Sequence, residues 1–253
     1  MKDTLEDGLL SPGSGDSASD GTQDETPERL LRRQLFAEFL GTTLLALCIS
    51  LQAGPAAIGF CLTSLVFAFG HVSGGMFNPA VAIAIWLRGR MSLKHAGLYS
   101  LVQLLGAFVG SLFSLAISKS VADDMIVMPG FPMPNKEIIK SPLLPVFLCE
   151  FVGTFALATV VLNVATTKAN EDKSFYGLAI GFTVAMGAFT MGGISGGAFN
   201  PAIGIALPLV AGHPCISQIM YLVGPILGGA LAAGAFRLTA DPTDLKDSSI
   251  HLA

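Results

Sequence analysis

Ser73-Gly74-Gly75-Met76-Phe77-Asn78-Pro79-Ala80 and Ser195-Gly196-Gly197-Ala198-Phe199-Asn200-Pro201-Ala202 are one run written twice, differing only where Met76 faces Ala198. Each opens a short apolar stretch, 79–87 and 201–210. Each stretch is about half of the roughly 20 residues a helix needs to cross a bilayer. Asn is a favoured N-cap and Pro a favoured first helical residue, so both runs read as helix starts. The glycines before them let the chain turn. The two stretches therefore read as re-entrant segments that dip into a membrane and return.

Six longer apolar stretches surround them: 31–52, 56–73, 94–118, 143–166, 175–192 and 214–237. The composition agrees with spans. Of 253 residues, 52% are hydrophobic and 13% charged, against about 25% charged in a soluble domain. Mean hydropathy is +0.65. Such a chain cannot cover a soluble surface with charge, which excludes a disordered protein, a nucleic-acid partner and an ordinary cytosolic enzyme. The expected class is an all-α membrane protein with six transmembrane helices and two re-entrant half-helices.

The charges are segregated. Residues 1–28 hold eight acids and one base, and the rest of the chain holds 13 bases and 10 acids. Residues 1–29 read as a disordered acidic tail, 30–237 as the membrane domain and 238–253 as a second tail. With the N-terminus inside, 11 of the 14 Lys and Arg residues lie on the inner side and 3 outside. Both termini are thus expected in the cytoplasm. The tail also carries Ser11-Pro12, Thr26-Pro27 and Glu6-Asp7-Gly8-Leu9-Leu10, short matches to phosphorylation and sorting signals. Cys48, Cys61, Cys149 and Cys215 show no metal-ligand spacing and read as small buried hydrophobes. Neither a metal site nor a cofactor is expected.

The halves echo each other, about 31–120 against 143–237. Glu38-Phe39-Leu40-Gly41-Thr42 matches Glu150-Phe151-Val152-Gly153-Thr154. Each half has three spans, so the second copy is inverted in the membrane, a transport-protein signature with its working site at the midplane. Two helix N-termini then face one another, each with about half a positive charge. Capping uses the asparagine carbonyl and leaves the amide of Asn78 and of Asn200 as a donor. That arrangement suits a neutral solute with an acceptor oxygen and repels cations. Glu38 and Glu150, acids inside apolar spans, have two readings: acceptors for the re-entrant loops, or proton carriers. The first is preferred. His71 reads as bracing a loop or touching the pore wall. Gly106-X-X-X-Gly110, Gly177-X-X-X-Gly181 and Gly224-X-X-X-Gly228 allow close helix packing.

With both Asn-Pro-Ala runs, both Glu-X-X-Gly-Thr segments, Gly70-His71-Val72-Ser73-Gly74, Gln103 and Val223-Gly224-Pro225, the sequence resembles the aquaporin, or major intrinsic protein, family over residues 31–237. The resemblance implies a narrow pore in each subunit of a homotetramer. It implies pore residues Asn78, Pro79, Ala80, Asn200, Pro201 and Ala202. It also implies Glu38, Glu150, His71 and Gln103 as loop supports. By offset from the motifs, the outer filter falls on Ile58, Ala188, Gly197 and Ile203. The family usually has arginine at the last of these, and glycerol-conducting members usually have aspartate where this chain has Gly204. The expected filter is wide and apolar.

The function expected is a passive channel for water or small neutral solutes such as glycerol, urea or ammonia, in contact with membrane lipid and not with nucleic acid. A proton-coupled transporter and a low-flux junction protein are the alternatives. No nucleophile–base pair suggests an enzyme.

Overall fold

The computed structural model describes residues 26–51, 54–121, 143–171, 173–212 and 218–246. The acidic tail up to residue 25 and the 122–142 connection lie outside the described residues. The elements are α1 (Pro27–Ser50), α2 (Pro55–Ser73), α3 (Pro79–Arg88), α4 (Leu93–Val121), α5 (Leu143–Ala165), α6 (Tyr176–Ser195), α7 (Pro201–Val210), α8 (Gln218–Thr239) and α9 (Pro242–Lys246), with a 3-10 turn at Lys168–Asn170.

Local chemistry sets the ends. Thr26 caps α1, its Oγ1 accepting from the Arg29 N–H at 3.3 Å, and Pro27 occupies the first turn. α2 and α6 both stop at a left-handed glycine, Gly74 (φ 88°) and Gly196 (φ 90°). α3 and α7 are both 10 residues long and begin at the two prolines that follow Asn78 and Asn200. Five of the six long helices, α2, α4, α5, α6 and α8, carry an apolar window of membrane-crossing length. α1 is long enough but spends its first two turns on Glu28, Arg29, Arg32 and Arg33. Its apolar part begins at Leu35, and an Arg32–Glu28 ion pair of 2.6 Å sits on the exposed turn before it.

Glycines let backbones approach where the repeats pair their helices. A Cβ on Gly110 of α4 would stand 2.2 Å from the Thr43 carbonyl oxygen of α1. A Cβ on Gly228 of α8 would stand 2.4 Å from the Phe151 carbonyl oxygen of α5. The pairs α1/α4 and α5/α8 are thus repeat copies, and α2 meets α6 across the pseudo-twofold through Gly59 and Gly181. One buried cluster forms around α3 and includes Phe77, Ile85, Tyr99, Leu162 and Phe236. A second forms around α7 and includes Ile203, Leu207 and Tyr221. Outward positions carry Phe36, Phe60, Phe113, Leu144, Phe182 and Phe189, each more than half exposed. In lipid such positions need no polar cover, and every spanning element here satisfies its backbone internally as a helix.

The segment expected as a plain C-terminal tail is partly structured. α8 continues to Thr239, and α9 places Asp244 in a buried position. There the Arg88 guanidinium, at the end of α3, donates to the Asp244 carbonyl at 2.8 Å and to Thr166 Oγ1 at 3.0 Å. It also lies 4.8 Å over the Phe236 ring. Asp244 Oδ1 accepts from the Lys168 N–H at 2.9 Å. A cation at the C-terminus of the half-helix complements its dipole, and the turn after α5 is tied to α9.

Gly110→Val should cost about 3 kcal/mol or more, because the Thr43 carbonyl is backbone and cannot move aside. Gly97, also on α4, has nothing within 4 Å of its Cβ position, so Gly97→Ala should leave stability unchanged or slightly raised. Thermal unfolding of detergent-solubilised protein compares the two; equal melting would refute the close-approach account.

Candidate functional site

The two re-entrant segments meet head to head and are tied by reciprocal bonds. Asn78 Oδ1 accepts from the Ala80 N–H at 2.9 Å, and Asn200 Oδ1 accepts from the Ala202 N–H at 3.0 Å. Asn78 Nδ2 donates to the Phe199 carbonyl at 2.8 Å, and Asn200 Nδ2 donates to the Phe77 carbonyl at 2.8 Å. This corrects the sequence expectation of a wholly free amide. Each NH2 group has two hydrogens; one is committed to the opposite segment, and one per asparagine remains. The copies match in backbone as well. Asn78 and Asn200 have φ of −155° and −153°, and Phe77 and Phe199 sit at φ 48° and 46°. A phenylalanine in the left-handed region costs about 1–3 kcal/mol and persists only where its surroundings hold it.

What holds it is a fully buried carboxylate. Glu38 Oε1 accepts from Ser73 Oγ at 2.6 Å and the Met76 N–H at 3.0 Å, and its Oε2 accepts from the Phe77 N–H at 2.7 Å. Glu150 repeats the pattern. Its Oε1 accepts from Ser195 Oγ at 2.8 Å and the Ala198 N–H at 3.1 Å, and its Oε2 from the Phe199 N–H at 2.7 Å. Loop amides buried without acceptors would cost about 1–3 kcal/mol each. Tyr99 and Tyr221 donate through their hydroxyls to the Ser73 and Ser195 carbonyls. The Phe77 ring lies on Gly41, where a Cβ would be 2.0 Å from it, and the Phe199 ring lies on Gly153, where the gap would be 2.1 Å. In Glu-X-X-Gly the carboxylate thus grips the loop, and the glycine three residues later leaves room for its aromatic side chain.

The remaining supports behave differently from each other. Gln103 Nε2 donates to Glu38 Oε2 at 2.8 Å, so it touches the carboxylate and not the loop. Its repeat counterpart is Pro225, which has no donor. His71 is exposed on α2, in line with Phe60, Ser64 and Phe67 at helical spacing. Among the described residues it makes no bond to the loop, and it is not part of the cavity wall. Position 71 is thus exposed near the end of α2, one turn before the left-handed Gly74.

A cavity of about 510 Å³ runs past both asparagines. Ile58, Ala188, Gly197 and Ile203 all border it. Much of the wall is repeat pairs: Leu45 with Leu157, Ile49 with Val161, Ile58 with Ile180, Val81 with Ile203. Asn78 and Asn200 bear the only amide or charged groups among its lining side chains. Ile203 is fully buried and packs with Ala206, Leu207 and Tyr221, so it contributes a sealed apolar wall. Glu38 and Glu150 do not border the cavity. Among the described residues no group of three His, Cys, Asp or Glu could hold a metal. Sequence reading overlooked Tyr99, Tyr221 and Gly41/Gly153 as loop supports; the signal available was their recurrence at equal offsets in the two halves.

Comparisons with known proteins agree on one group. The sequence model described as "Major intrinsic protein" matches residues 25–237. "Glycerol uptake facilitator protein-like 6" of Lactiplantibacillus plantarum is 31% identical over 218 residues, covering 81% of this chain and 97% of that protein. "Lens fiber major intrinsic protein" of Lithobates pipiens is 30% identical over 211 residues, covering 79% and 78%. The solved aquaglyceroporin of Plasmodium falciparum superposes with a TM-score of 0.70 at 20% identity, over 85% of this chain and 98% of that one, a likeness of fold.

Replacing Glu150 by Gln sets an NH2 group against one of the three donors, Ser195 Oγ, Ala198 N–H or Phe199 N–H. Glu150→Gln should cost at least one bond to a charged acceptor, about 1.5 kcal/mol, and Glu38→Gln, where each carboxylate oxygen accepts from two donors, about 3 kcal/mol. Gln103→Leu, losing one donor, should cost about half that. Denaturation monitored by Trp86 fluorescence tests the order; unchanged stability in the Glu→Gln variants would remove the carboxylates from this role.

Proposed function

The chain belongs to the major intrinsic protein family, and from that footing we propose that it is a passive channel for water and small neutral solutes working through the cavity between its two re-entrant segments. The observation that carries the proposal is the head-to-head pair of half-helices whose asparagines supply the polar side chains of an otherwise apolar wall.

The mechanism follows from charge and geometry. The N-termini of α3 and α7 each present about half a positive charge at the junction. The second hydrogen of each Asn78 and Asn200 amide is available to an acceptor oxygen. A solute oxygen is drawn in and held with its own hydrogens turned away, which hinders a proton relay. A cation meets positive dipoles and a wall with no carboxylate, so it loses hydration without replacement. Glu38 and Glu150 serve as structural acceptors: both oxygens of each are engaged by loop donors, which leaves the carboxylates no path to carry protons. Ile58, Ala188, Gly197 and Ile203 would form the filter, with no side-chain donor. Selection there would rest on size and on the cost of dehydration, which admits compact uncharged solutes such as glycerol, urea or ammonia. The glycerol-uptake name of the Lactiplantibacillus relative supports this solute class. The charge bias of 11 against 3 supports cytoplasmic termini, and the family footing supports a homotetramer in the membrane.

Reconstituted vesicles followed by stopped-flow light scattering test the proposal. Water and at least one of glycerol and urea should cross faster than in empty vesicles, with no uphill accumulation under a pH gradient. Ala188→Phe should lower the glycerol or urea rate at least tenfold by filling the cavity, and lower the water rate less. Rates equal to empty vesicles, or gradient-driven accumulation, would overturn it.

A further inference from the structure

Tyr176, the first residue of α6, has no part in the machinery described so far. The row that follows it at every fourth position, Ile180, Val184, Ala188 and Gly192, borders the cavity, and Tyr176 does not. The row leaves the cavity at its inner end, the side on which α3, α5 and α8 finish. There the Tyr176 ring lies against α2. Its hydroxyl oxygen and Cε2 stand 3.2 and 3.3 Å from where a Cβ on Gly70 would be. It meets Phe67 edge to face, with ring centroids 5.6 Å apart, and packs on the buried cluster around α3.

The pseudo-twofold shows what this end would be without the ring. At the outer end Gly192 stands for Gly70 and Gly54 for Tyr176. A Cβ on either of those glycines has nothing within 4 Å. Gly192 and Pro55, the neighbour of Gly54, both border the cavity. Exposure follows the same split: Ile180 is 6% exposed, while its counterpart Ile58 is half-buried. The space left open at the outer end is thus taken by a phenol ring at the inner end. The way this ring is held also differs from the other tyrosines. Tyr99 and Tyr221 are anchored through their hydroxyls. Among the described residues the Tyr176 hydroxyl makes no hydrogen bond, and α6 starts there without a side-chain cap. Packing alone holds the ring, so a change of rotamer breaks no polar bond.

We propose that Tyr176 is the inner stopper of the passage: its ring closes the cavity over Gly70 and must swing aside before a solute leaves. This rests on the channel reading above and adds a second point of selection. The dipoles at the asparagines act on charge, whereas the ring acts on size and falls on neutral solutes too. The wall beside it is apolar, formed by Val81, Val161 and Ile180, so the closure is steric and dry. A bulky solute needs a wider swing than water, which makes Tyr176 a determinant of specificity.

Two single-cysteine chains test this, with Cys48, Cys61, Cys149 and Cys215 replaced by Ala: Ile58→Cys near the outer end and Ile180→Cys near the inner end. Detergent-solubilised protein is treated with the anionic reagent 2-sulfonatoethyl methanethiosulfonate and the modified fraction is followed by mass spectrometry. Ile58→Cys should react roughly tenfold faster than Ile180→Cys. Adding Tyr176→Ala should bring Ile180→Cys up to that rate and leave Ile58→Cys unchanged, which checks that the fold is intact. Adding Tyr176→Phe, which keeps the ring, should leave Ile180→Cys slow. In vesicles, Tyr176→Ala should raise glycerol or urea flux roughly threefold or more and water flux less. Equal modification of the two cysteines with Tyr176 in place, or slow modification of Ile180→Cys that persists in Tyr176→Ala, would overturn the stopper. Faster labelling with unaltered flux would overturn its control of passage. Absence of flux in native and Tyr176→Ala chains alike would count against conduction itself, while the labelling rates still decide the closure.

Discussion

A chain that stops halfway through an apolar medium must satisfy the backbone it exposes there. α3 and α7 start where water is scarce, and the loops leading to them carry amides that no helix can use. Glu38 and Glu150 meet that constraint by accepting from the loop amides and from one serine each. Their positions dictate much else. The carboxylates fix Phe77 and Phe199 in left-handed conformations, which forces the rings onto Gly41 and Gly153. The glycine contacts of α4 on α1 and of α8 on α5 bring Tyr99 and Tyr221 close enough to hold the Ser73 and Ser195 carbonyls. An expensive buried acid is thus used to make a rare backbone geometry reproducible.

That geometry sets the chemistry of the passage. With each loop fixed, the Phe77 and Phe199 carbonyls point across the junction and take one amide hydrogen from the opposite asparagine. The bonds hold the two half-helices in one register and orient the hydrogen that remains. Because the other lining side chains are apolar, side-chain polar guidance is confined to this junction. The wall charges a solute for dehydration along its length and repays part of that cost at one place.

Much of this architecture is legible in the residues. The repeated Ser-Gly-Gly-X-Phe-Asn-Pro-Ala run marks both half-helices, because Asn capping and Pro at the first position are local effects that survive in any tertiary setting. The six long helices follow from hydropathy, with α1 the weakest because its first turns are charged. Partners more than 30 residues apart are less legible. Nothing local tells that Asn78 gives one hydrogen to Phe199, 121 residues away, or that Asp244 holds the turn at Lys168.

The repeats are equal in the machinery that holds the loops and unequal in the walls between them. Tyr176 packs on Gly70, 3.2 Å from where a Cβ would be, whereas the equivalent Gly192 has nothing within 4 Å among the described residues. The counterpart of Tyr176 is Gly54, which offers no ring to fill that space. Val66 is 1% exposed and lies off the cavity, while its counterpart Ala188 is 8% exposed and lines it. Gly192 and Gly193 also border the cavity, and their counterparts Gly70 and His71 do not. The cavity therefore opens towards the end of α6. Small residues at 188, 192, 193 and 197 set its bore on that side, where no aromatic ring fills the space. The wall therefore departs from the twofold on one side, the side bounded by α6 and the start of α7.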